Sequence, residues 1–494
     1  MDDLSQPIEI GSRLELFVDD YIVDTMNQVE RRLQRPDFQE VAIRHDKPWE
    51  GGGSSYHTIF KDGDVYRMYY RASQIGVGIP ESSHRSVTAY AESDDGITWQ
   101  KPDLGLYEWD GSTNNNIIRD GRESHNFTPF KDENPNCSDE AKYKAVGFGS
   151  DPDTTNLVAF KSADGIRWSR LGEDPILTEE QGAYDSQNLA FWDGQTEQYR
   201  IYFRDFTQEG ALEESEIDDR RRIIKTSTSN DFQTWSDPVE LTYPDAPPEQ
   251  LYTNVIKPYY RAPHIYLGFP ERYVERDWES DSMRELPGFE FRQQLADELF
   301  RTGAAVTDAL FMSSRDGSTF SRWPKAFLRP GAWTDDSRAN WFYGDNTIAW
   351  QLVETKSGTP GKPPVLSLYA KEDYRTEASR LRRYTLRIDG FVSVEAPLDG
   401  GELVTKPIVF DGDDLVLNFS TSAAGRMSIE LQRPDGDPYP GFELDESPEL
   451  FGDDYKRVVT WPNGADIADL AGQPVRIRFV MADSDLYSFR FRPA

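Results

Sequence analysis

The stretch from Tyr184 to Asp205, YDSQNLAFWDGQTEQYRIYFRD, has the pattern of two β-strands joined by a tight turn. Apolar residues alternate with polar ones on both sides of the Asp193-Gly194 pair, and this alternation around a glycine predicts a β-hairpin. Asp185 stands at the entrance of the first strand. A carboxylate there either caps a turn, as acidic residues at strand ends usually do, or belongs to a group of catalytic acids.

One closing phrase recurs along the chain. It is found as SDDGITW (Ser93 to Trp99), SADGIRW (Ser162 to Trp168), STSNDFQTW (Ser227 to Trp235) and SSRDGSTF (Ser313 to Phe320). Repetition at roughly 65–80 residues, with strands and a recurrent Asp-Gly turn, predicts the blades of a β-propeller. We expect the Ser and Asp side chains to bind the amides of each turn, so these aspartates are interpreted as structural.

The predicted fold is all-β and has two parts. Residues 1–396 are assigned to a five-bladed β-propeller that carries the catalytic site. The composition changes at APLDGGELVTKP, from Ala396 to Pro407, and short strand-like runs separated by Gly, Pro and Asp follow it. This pattern predicts a small C-terminal β-sandwich over residues 397–494.

The composition limits the classes of partner. The net charge of −33 argues against a nucleic-acid partner on electrostatic grounds. It fits either a salt-adapted surface or an ordinary acidic protein, and we favour salt adaptation. No apolar run approaches a membrane span, and the N-terminus has no signal-peptide pattern. The compartment stays open between a secreted or periplasmic protein whose leader was removed and a cytoplasmic protein, and the oligomeric state is undetermined.

No cofactor is expected from the motifs of the chain. The single cysteine, Cys137, excludes an intrachain disulfide and a Cys-based metal site, and the histidines lack metal-ligand spacing. A group of acids in the C-terminal part offers oxygen ligands for structural calcium, although in so acidic a chain ordinary solvated loops are the better explanation. These acids are Asp411, Asp413, Asp414, Asp453 and Asp454.

Several segments carry a resemblance to a known group of enzymes. They are LFVDDYIVD (16–24), PWEGGGSSYHTIFKDGDVYRMYYR (48–71), YDSQNLAFWD (184–193), QLYTNVIKPYYRAPHIYLGFP (250–270), YTLRIDGFVSV (384–394) and KPIVFDGDDLVLNFSTSAAG (406–425). Through them the chain resembles five-bladed β-propeller glycoside hydrolases of the sucrase/levanase and arabinanase/xylosidase type, followed by a β-sandwich. More narrowly, it resembles bacterial and archaeal proteins known only as glycosyl-hydrolase-like.

The resemblance implies three catalytic carboxylates on inner strands. Asp185 matches the aspartate of the middle blade, and Glu249 stands near the position of the general acid, with Glu271 as a rival. The first blade departs from the pattern, because Tyr56 and the serines before it occupy the region of the expected aspartate. Glu50 is the nearest acid there and is the third catalytic candidate.

Further residues at predicted inner-strand ends are candidates for contacts with a sugar. Aromatic rings stack on sugar faces, and Arg and Asn side chains bind hydroxyl or carboxylate groups, although packing between blades is an equally good use of the aromatics. The substrate-binding candidates are His57, Arg71, Arg204, Tyr252, Asn254, Glu271, Trp341 and Asp345.

The predicted function is a glycoside hydrolase that cleaves an oligo- or polysaccharide by carboxylate acid/base chemistry, so the expected partner is a carbohydrate. Two alternatives stay open. A sialidase-like enzyme would explain the resemblance of the repeated turn to an Asp box, with Arg71, Arg204 and Arg272 as its arginine triad. A non-catalytic carbohydrate-binding propeller would explain the missing aspartate of the first blade. The sugar and its linkage are not determined by the sequence.

Overall fold

The computed structural model describes residues 6–76, 85–207, 220–331, 341 and 343–493. The chain divides into a large unit, Pro36–Tyr259 with Pro263–Thr385, and a small unit, Met1–Arg35 with Tyr260–Ala262 and Leu386–Ala494. This division differs from the predicted boundary after residue 396, because strands near the two ends of the chain pair with each other.

Five four-stranded sheets follow one another along the large unit. The first contains Ser55–Asp62, Val65–Ala72, Val87–Ser93 and Ile117–Asp120; the second contains Thr128–Lys131, Tyr143–Phe148, Leu157–Ser162 and Ser169–Arg170. The third contains Leu189–Asp193, Gln198–Phe206, Arg222–Ser229 and Val239–Glu240; the fourth contains Lys257–Tyr259, Ala262–Gly268, Met312–Ser314 and Ser321–Arg322. The fifth contains Val353–Thr355, Val365–Glu372, Arg380–Arg387 and, as its outer strand, Asp37–Arg44 from early in the chain.

The remaining elements of the large unit are short. A three-stranded sheet contains Gln250–Leu251, Glu271–Glu275 and Ala305–Ala309. The α-helices are Asp281–Arg284, Phe289–Glu298 and Phe300–Ala304, and the 3-10 helices are Arg122–His125 and Asp139–Ala141. Among the described helices of the chain, none has the length and apolar character needed to cross a membrane.

The four repeated turns are closed by one pattern of hydrogen bonds. Each serine hydroxyl accepts from two backbone amides of the turn, and each aspartate Oδ1 accepts from the next two amides. The pairs are Ser93 with Asp95, Ser162 with Asp164, Ser229 with Asp231, and Ser314 with Asp316. The predicted structural role of these residues is confirmed.

Side chains of three sheets reach the turn of a neighbouring sheet. Arg67 of the first sheet donates to the carbonyl of Asp164 in the turn of the second at 2.9 Å, and Tyr202 of the third sheet donates to the carbonyl of Gly317, in the turn before the last strand of the fourth, at 2.7 Å. Tyr369 of the fifth sheet donates to the carbonyl of Gly96, which lies in the turn after the third strand of the first sheet. This contact connects the last sheet with the first.

Trp350 brings the first strands of several sheets together. Its backbone N–H donates to the carbonyl of His57 at 2.8 Å, and its indole N–H donates to the carbonyl of Ile256 at 3.0 Å. Its ring lies 6.5 Å from that of Phe130, centroid to centroid. The first strands of several sheets converge at Trp350, and the contacts between sheets lead from the fifth sheet back to the first. The fold is therefore of the all-β propeller type, as predicted. The number of five blades stays a prediction.

The small unit is built on an eight-stranded sheet. Its strands are Glu15–Leu16, Val23–Asn27, Glu30–Leu33, Val392–Ala396, Gly401–Thr405, Asp414–Gln432, Asp453–Val458 and Arg476–Arg492, and Ile8–Gly11 pairs separately with Ile408–Phe410. The 3-10 helices are Leu444–Glu446 and Ile467–Leu470. That this unit is a β-sandwich stays a prediction.

The acids proposed as calcium ligands are engaged in part by arginines. Asp414 pairs with Arg492 at 3.2 Å, and Asp453 pairs with Arg387. Within the described ranges, no group of three or more His, Cys, Asp or Glu residues has the arrangement of a metal site. Structural calcium stays an untested prediction.

Candidate functional site

Asp185 precedes the inner strand Leu189–Asp193, and its carboxylate is accessible, with 57% of the side-chain surface exposed. Nε2 of His125 donates to Oδ1 of Asp185 at 2.8 Å, and the imidazole ring stacks on Phe148. Partial enclosure raises the pKa of Asp185, but the hydrogen bond and charge of His125 and the charges of Arg204 and Arg71 hold it well below its usual range. Asp185 is therefore ionised at neutral pH.

Tyr56 occupies the place where the resemblance implies an aspartate. It has a φ of 56° and lies in a bulge where the register of the first two strands shifts between Ser55 and Thr58. Gln187 fixes this bulge, because its Nε2 donates to the carbonyls of Tyr56 and His57, each at 3.2 Å. The guanidinium carbon of Arg71 lies 4.6 Å from the centroid of the Tyr56 ring. Bulges of this kind often re-aim side chains beside active sites.

Glu271 begins the strand Glu271–Glu275 and is 2% exposed. The N–H of Tyr252 donates to its carbonyl at 2.7 Å, and its own N–H donates to Thr253 Oγ1 at 3.2 Å, so two backbone bonds fix the residue. Its buried Oε1 has no hydrogen-bond partner among the described residues. Burial raises the pKa of Glu271 to about 7, against the lowering effects of Thr347, Thr307 and Lys371.

Asp345 and Lys371 are also buried, at 9% and 1% exposure. Oδ1 of Asp345 accepts from the backbone N–H of Tyr374 at 2.9 Å, and Nζ of Lys371 lies 3.2 Å from the centroid of the Tyr374 ring. Burial raises the pKa of Asp345 well above its usual range and lowers the pKa of Lys371 well below its own. Neither group is in its ordinary protonation equilibrium.

These groups influence one another electrostatically. Arg71 lowers the pKa of both Asp185 and Lys371, and Lys371 in turn lowers the pKa of Glu271 and of Asp345. We call this set the Asp185 cluster; its members are Tyr56, Arg71, His125, Asp185, Arg204, Glu271, Asp345, Lys371 and Tyr374. The cluster contains an ionised, accessible carboxylate and a buried carboxyl group with a pKa near neutrality.

Three tyrosines form an aromatic wall beside the cluster. The ring centroids of Tyr252 and Tyr343 are 5.6 Å apart, and those of Tyr343 and Tyr374 are 6.0 Å apart. Arg204 joins this wall, with its guanidinium carbon 5.3 Å from the Tyr252 ring centroid. Tyr252 and Arg204, both predicted to contact substrate, therefore lie together.

Glu249 is held in a different network. Its Oε1 accepts from Arg272 at 2.9 Å and its Oε2 accepts from Arg322, while Arg272 also pairs with Asp308. Burial raises the pKa of Glu249, but the hydrogen bonds and charges of the two arginines lower it further, so the net shift is downward. A carboxylate kept ionised by two arginines is a poor proton donor. Because Arg272 is engaged in the same network, the predicted triad of Arg71, Arg204 and Arg272 is not assembled from free side chains.

Glu50 is buried at 3% exposure, and both of its carboxylate oxygens are engaged. Tyr70 donates to Oε1 at 2.5 Å, and Lys101 binds Oε2 at 2.6 Å. His57 belongs to the same surroundings, since its ring stacks on Tyr70 and its Nε2 lies 3.0 Å from Nε2 of His45. Glu50 and His57 thus have structural partners of their own.

The two remaining candidates have mainly local contacts. Asn254 is buried, and its Oδ1 lies 3.5 Å from the backbone N of Ile256. Trp341 is half-buried, its carbonyl accepts from Arg292 at 2.5 Å, and its ring lies 5.9 Å from the guanidinium carbon of Arg276. Within the described residues, neither of them forms a hydrogen bond, ion pair or ring contact with Asp185 or Glu271. Their predicted substrate contacts stay predictions.

The sequence interpretation did not include His125, Lys371 or Tyr374 among the site residues. Lys371 carried one signal, because it is a charge near the end of the otherwise apolar run VLSLYA. A lysine in such a run is either exposed to solvent or buried for a structural or functional reason. Only the packing of the folded chain distinguishes these two cases. His125 stands 60 residues before its partner Asp185, so nothing local indicates the pair.

No protein-family model matches the chain. Two proteins of Mycobacterium tuberculosis, "Uncharacterized protein Rv1502" and "Uncharacterized protein MT1551", are each 26% identical to it over 176 residues. The match covers 34% of this chain and 51% of each relative, so the chain spans about half the length of the curated relatives it matches.

Solved structures with a similar arrangement include propeller-type glycoside hydrolases. A thermostable family-43 glycoside hydrolase is 12% identical, with a TM-score of 0.41 and coverage of 72% of this chain and 96% of that chain. A fructofuranosidase from Schwanniomyces occidentalis, complexed with fructosylnystose, is 11% identical, with a TM-score of 0.37 and coverage of 92% and 98%. An endo-arabinase from Bacteroides thetaiotaomicron is 9% identical, with a TM-score of 0.41 and coverage of 70% and 98%. At these values, the reactions of those proteins imply nothing about the chemistry of this chain.

Proposed function

We propose that this protein is a glycoside hydrolase whose reaction takes place at the Asp185 cluster. The observation that carries the proposal is the contrast between two carboxyl groups: Asp185 is ionised and accessible, and Glu271 has a pKa of about 7. Glycoside cleavage needs one group of each kind, a proton donor for the leaving oxygen and a carboxylate that attacks or activates water.

Glu271 takes the role of proton donor in this proposal. A carboxyl group with a pKa near 7 holds its proton at neutral pH and still releases it readily, which is the condition for general acid catalysis. The two backbone hydrogen bonds that fix Glu271 keep its position defined. Glu249, the acid expected from the resemblance, is ionised by its two arginines and takes a structural role here.

Asp185 takes the role of the attacking or activating carboxylate. The His125 hydrogen bond keeps it ionised and oriented, while its exposed surface leaves room for a substrate or water. Burial raises the pKa of Asp345 well above its usual range and so favours its neutral form, which in this proposal donates a hydrogen bond to a sugar hydroxyl.

The first experiment is a screen of aryl glycosides and polysaccharides at low and high salt, with the wild type and the variants Asp185→Asn and Glu271→Gln. We expect both variants to lose roughly 10²–10⁴-fold in kcat on unactivated glycosides, which is the usual contribution of general acid–base catalysis. Circular dichroism and thermal unfolding check that each variant is folded. Sugar binding by the wild type without any turnover would favour the non-catalytic alternative.

The leaving group separates the two roles. A dinitrophenyl glycoside needs little protonation as it departs, so Glu271→Gln is expected to lose far less activity on it than on an alkyl glycoside. Asp185→Asn is expected to lose activity on both substrates alike. Glu249→Gln is the matched control and is expected to keep the leaving-group dependence of the wild type. Equal losses of Glu271→Gln on both substrates would contradict its role as proton donor.

A further inference from the structure

Arg71 and Arg204 are two deeply buried cations that both act on the charge of a single carboxylate, Asp185. They are 5% and 6% exposed, and within the described part of the chain neither forms an ion pair within 4 Å. Buried charges in proteins are normally paired, because an unpaired one loses its hydration without compensation. Asp185 balances only one of the two positive charges, so the second arginine needs a reason.

Their known hydrogen bonds leave part of each guanidinium unused. Arg71 donates through Nε and Nη2 to the carbonyl of Gly53, at 3.2 and 2.9 Å, and Nη2 lies 3.5 Å from the hydroxyl of Tyr374. Arg204 donates through Nε to the carbonyl of Ala183 at 3.2 Å. These bonds orient the two guanidinium groups, and among the described residues Nη1 of Arg71 and both Nη atoms of Arg204 have no hydrogen-bond acceptor.

The local charge runs against that of the whole chain. The protein has a net charge of −33, with Asp and Glu outnumbering Lys and Arg by 87 to 54, yet the Asp185 cluster places two guanidinium groups, those of Arg71 and Arg204, near one carboxylate, Asp185. Burial raises the pKa of the other two acids of the cluster, Asp345 and Glu271, and disfavours their charged forms. A neutral sugar needs no such concentration of cations, whereas an anionic one does.

We propose that the Asp185 cluster binds a uronic acid residue, and that Arg71 and Arg204 hold its carboxylate. The planar fork of a guanidinium matches a carboxylate with two parallel hydrogen bonds. The tyrosine wall next to Arg204 supplies an aromatic surface for the sugar ring. This inference rests on the proposed hydrolase site for its location, but it concerns binding and not cleavage.

The test measures binding in the Glu271→Gln variant, in which turnover does not interfere. Calorimetry or saturation-transfer NMR compares methyl galacturonoside with methyl galactoside and methyl glucuronoside with methyl glucoside, since each pair differs only at carbon 6. N-acetylneuraminate and inorganic sulfate are further probes. We expect at least one uronoside to bind about tenfold or more tightly than its neutral counterpart, and this preference to shrink as KCl is raised from 0.1 to 1 M.

Arginine variants in the same background locate the carboxylate. Arg204→Gln is expected to weaken uronoside binding about 10- to 100-fold and neutral-sugar binding less than twofold, as charge-assisted hydrogen bonds contribute that much. Arg204→Lys keeps the charge and loses the fork, so an intermediate loss is expected. Arg167→Gln removes an arginine whose side chain is 71% exposed, and it is the control that leaves binding unchanged.

Several outcomes overturn the inference. These are equal binding of the uronosides and their neutral counterparts, no effect of Arg204→Gln, and a preference for N-acetylneuraminate or sulfate over both uronosides. The fate of the proposed function is separate. Cleavage of neutral glycosides without uronoside preference would support the proposed hydrolase function and contradict this inference. Uronoside binding without cleavage of any glycoside would support this inference and contradict the proposed function.

Discussion

At the scale of single residues, Glu271 is expected to cost the protein stability at neutral pH. Its folded pKa of about 7 lies above its ordinary value of 4.5, so the native state binds the proton more tightly than the unfolded chain does. Its contribution to stability is complete below about pH 4.5 and is lost as the pH rises through 7. The difference is up to about 3.5 kcal/mol, because each pKa unit between 4.5 and about 7 corresponds to about 1.4 kcal/mol.

The Glu271→Gln variant removes this ionisation while keeping the shape of the side chain. We expect its urea unfolding free energy to exceed that of the wild type at pH 8 and to approach or fall below it at pH 4.5. Glu249→Gln is the opposite case, since it loses two arginine partners and is expected to be less stable than the wild type at pH 8. A wild type whose stability relative to Glu271→Gln does not change with pH would show that Glu271 ionises normally.

The comparison of Glu249 with Glu271 also shows what a sequence reveals about single residues. Both are glutamates at the start of a strand region, and the local pattern does not separate them. What separates them is the surroundings: Arg322 stands 73 residues from Glu249 and binds it, while Glu271 is buried beside Thr307, Thr347 and Lys371, and its pKa is raised mainly by that burial. The sequence draws attention to Asp185 because the strand and turn that follow it are contiguous with it, and its catalytic role stays a prediction.

At the scale of structural elements, the turn Ser93–Trp99 has two adjacent aspartates, and it is expected to tolerate a substitution of Asp94 better than one of Asp95. Oδ1 of Asp95 accepts from the amides of Ile97 and Thr98 at 2.7 and 2.8 Å, whereas the adjacent Asp94 is exposed and forms no such bond with any described residue. We expect Asp95→Ala to lower the unfolding free energy by about 1–2 kcal/mol and Asp94→Ala to change it by less than about 0.5 kcal/mol.

Urea unfolding of both alanine variants at pH 7 measures this difference, and activity on any substrate found is expected to be unchanged in both. Equal destabilisation by the two substitutions would contradict the structural role of Asp95. The contrast with the Tyr56 bulge is instructive. The turns are closed by residues two or three positions apart and can therefore be predicted from the sequence, whereas the bulge depends on Gln187, which stands 131 residues from Tyr56.

At the scale of the whole molecule, the pattern of strands in the sequence indicated the fold class, but it did not indicate where the two units begin and end. Val23–Asn27 pairs with Gly401–Thr405, and Glu30–Leu33 pairs with Val392–Ala396, so the small unit takes strands from both ends of the chain. Pairing between strands some 370 residues apart leaves no local trace. A composition shift near residue 396 marks a change of character along the chain and not the edge of a folded unit.

The charge of the whole molecule leads to the last prediction. A net charge of −33 repels itself in the compact state, and salt shortens the range of that repulsion from ~10 Å at 0.1 M to ~3 Å at 1 M. We expect the Tm in differential scanning calorimetry to rise by several degrees between 0.1 and 1 M KCl. Potassium sulfate at equal ionic strength separates the causes, because screening gives the same rise with both salts and exclusion from the protein surface gives a larger rise with sulfate. A Tm that is unchanged or lower at 1 M KCl would mean that local ion pairs, which salt weakens, outweigh the repulsion between distant charges, and the acidic surface would then have no role in salt adaptation.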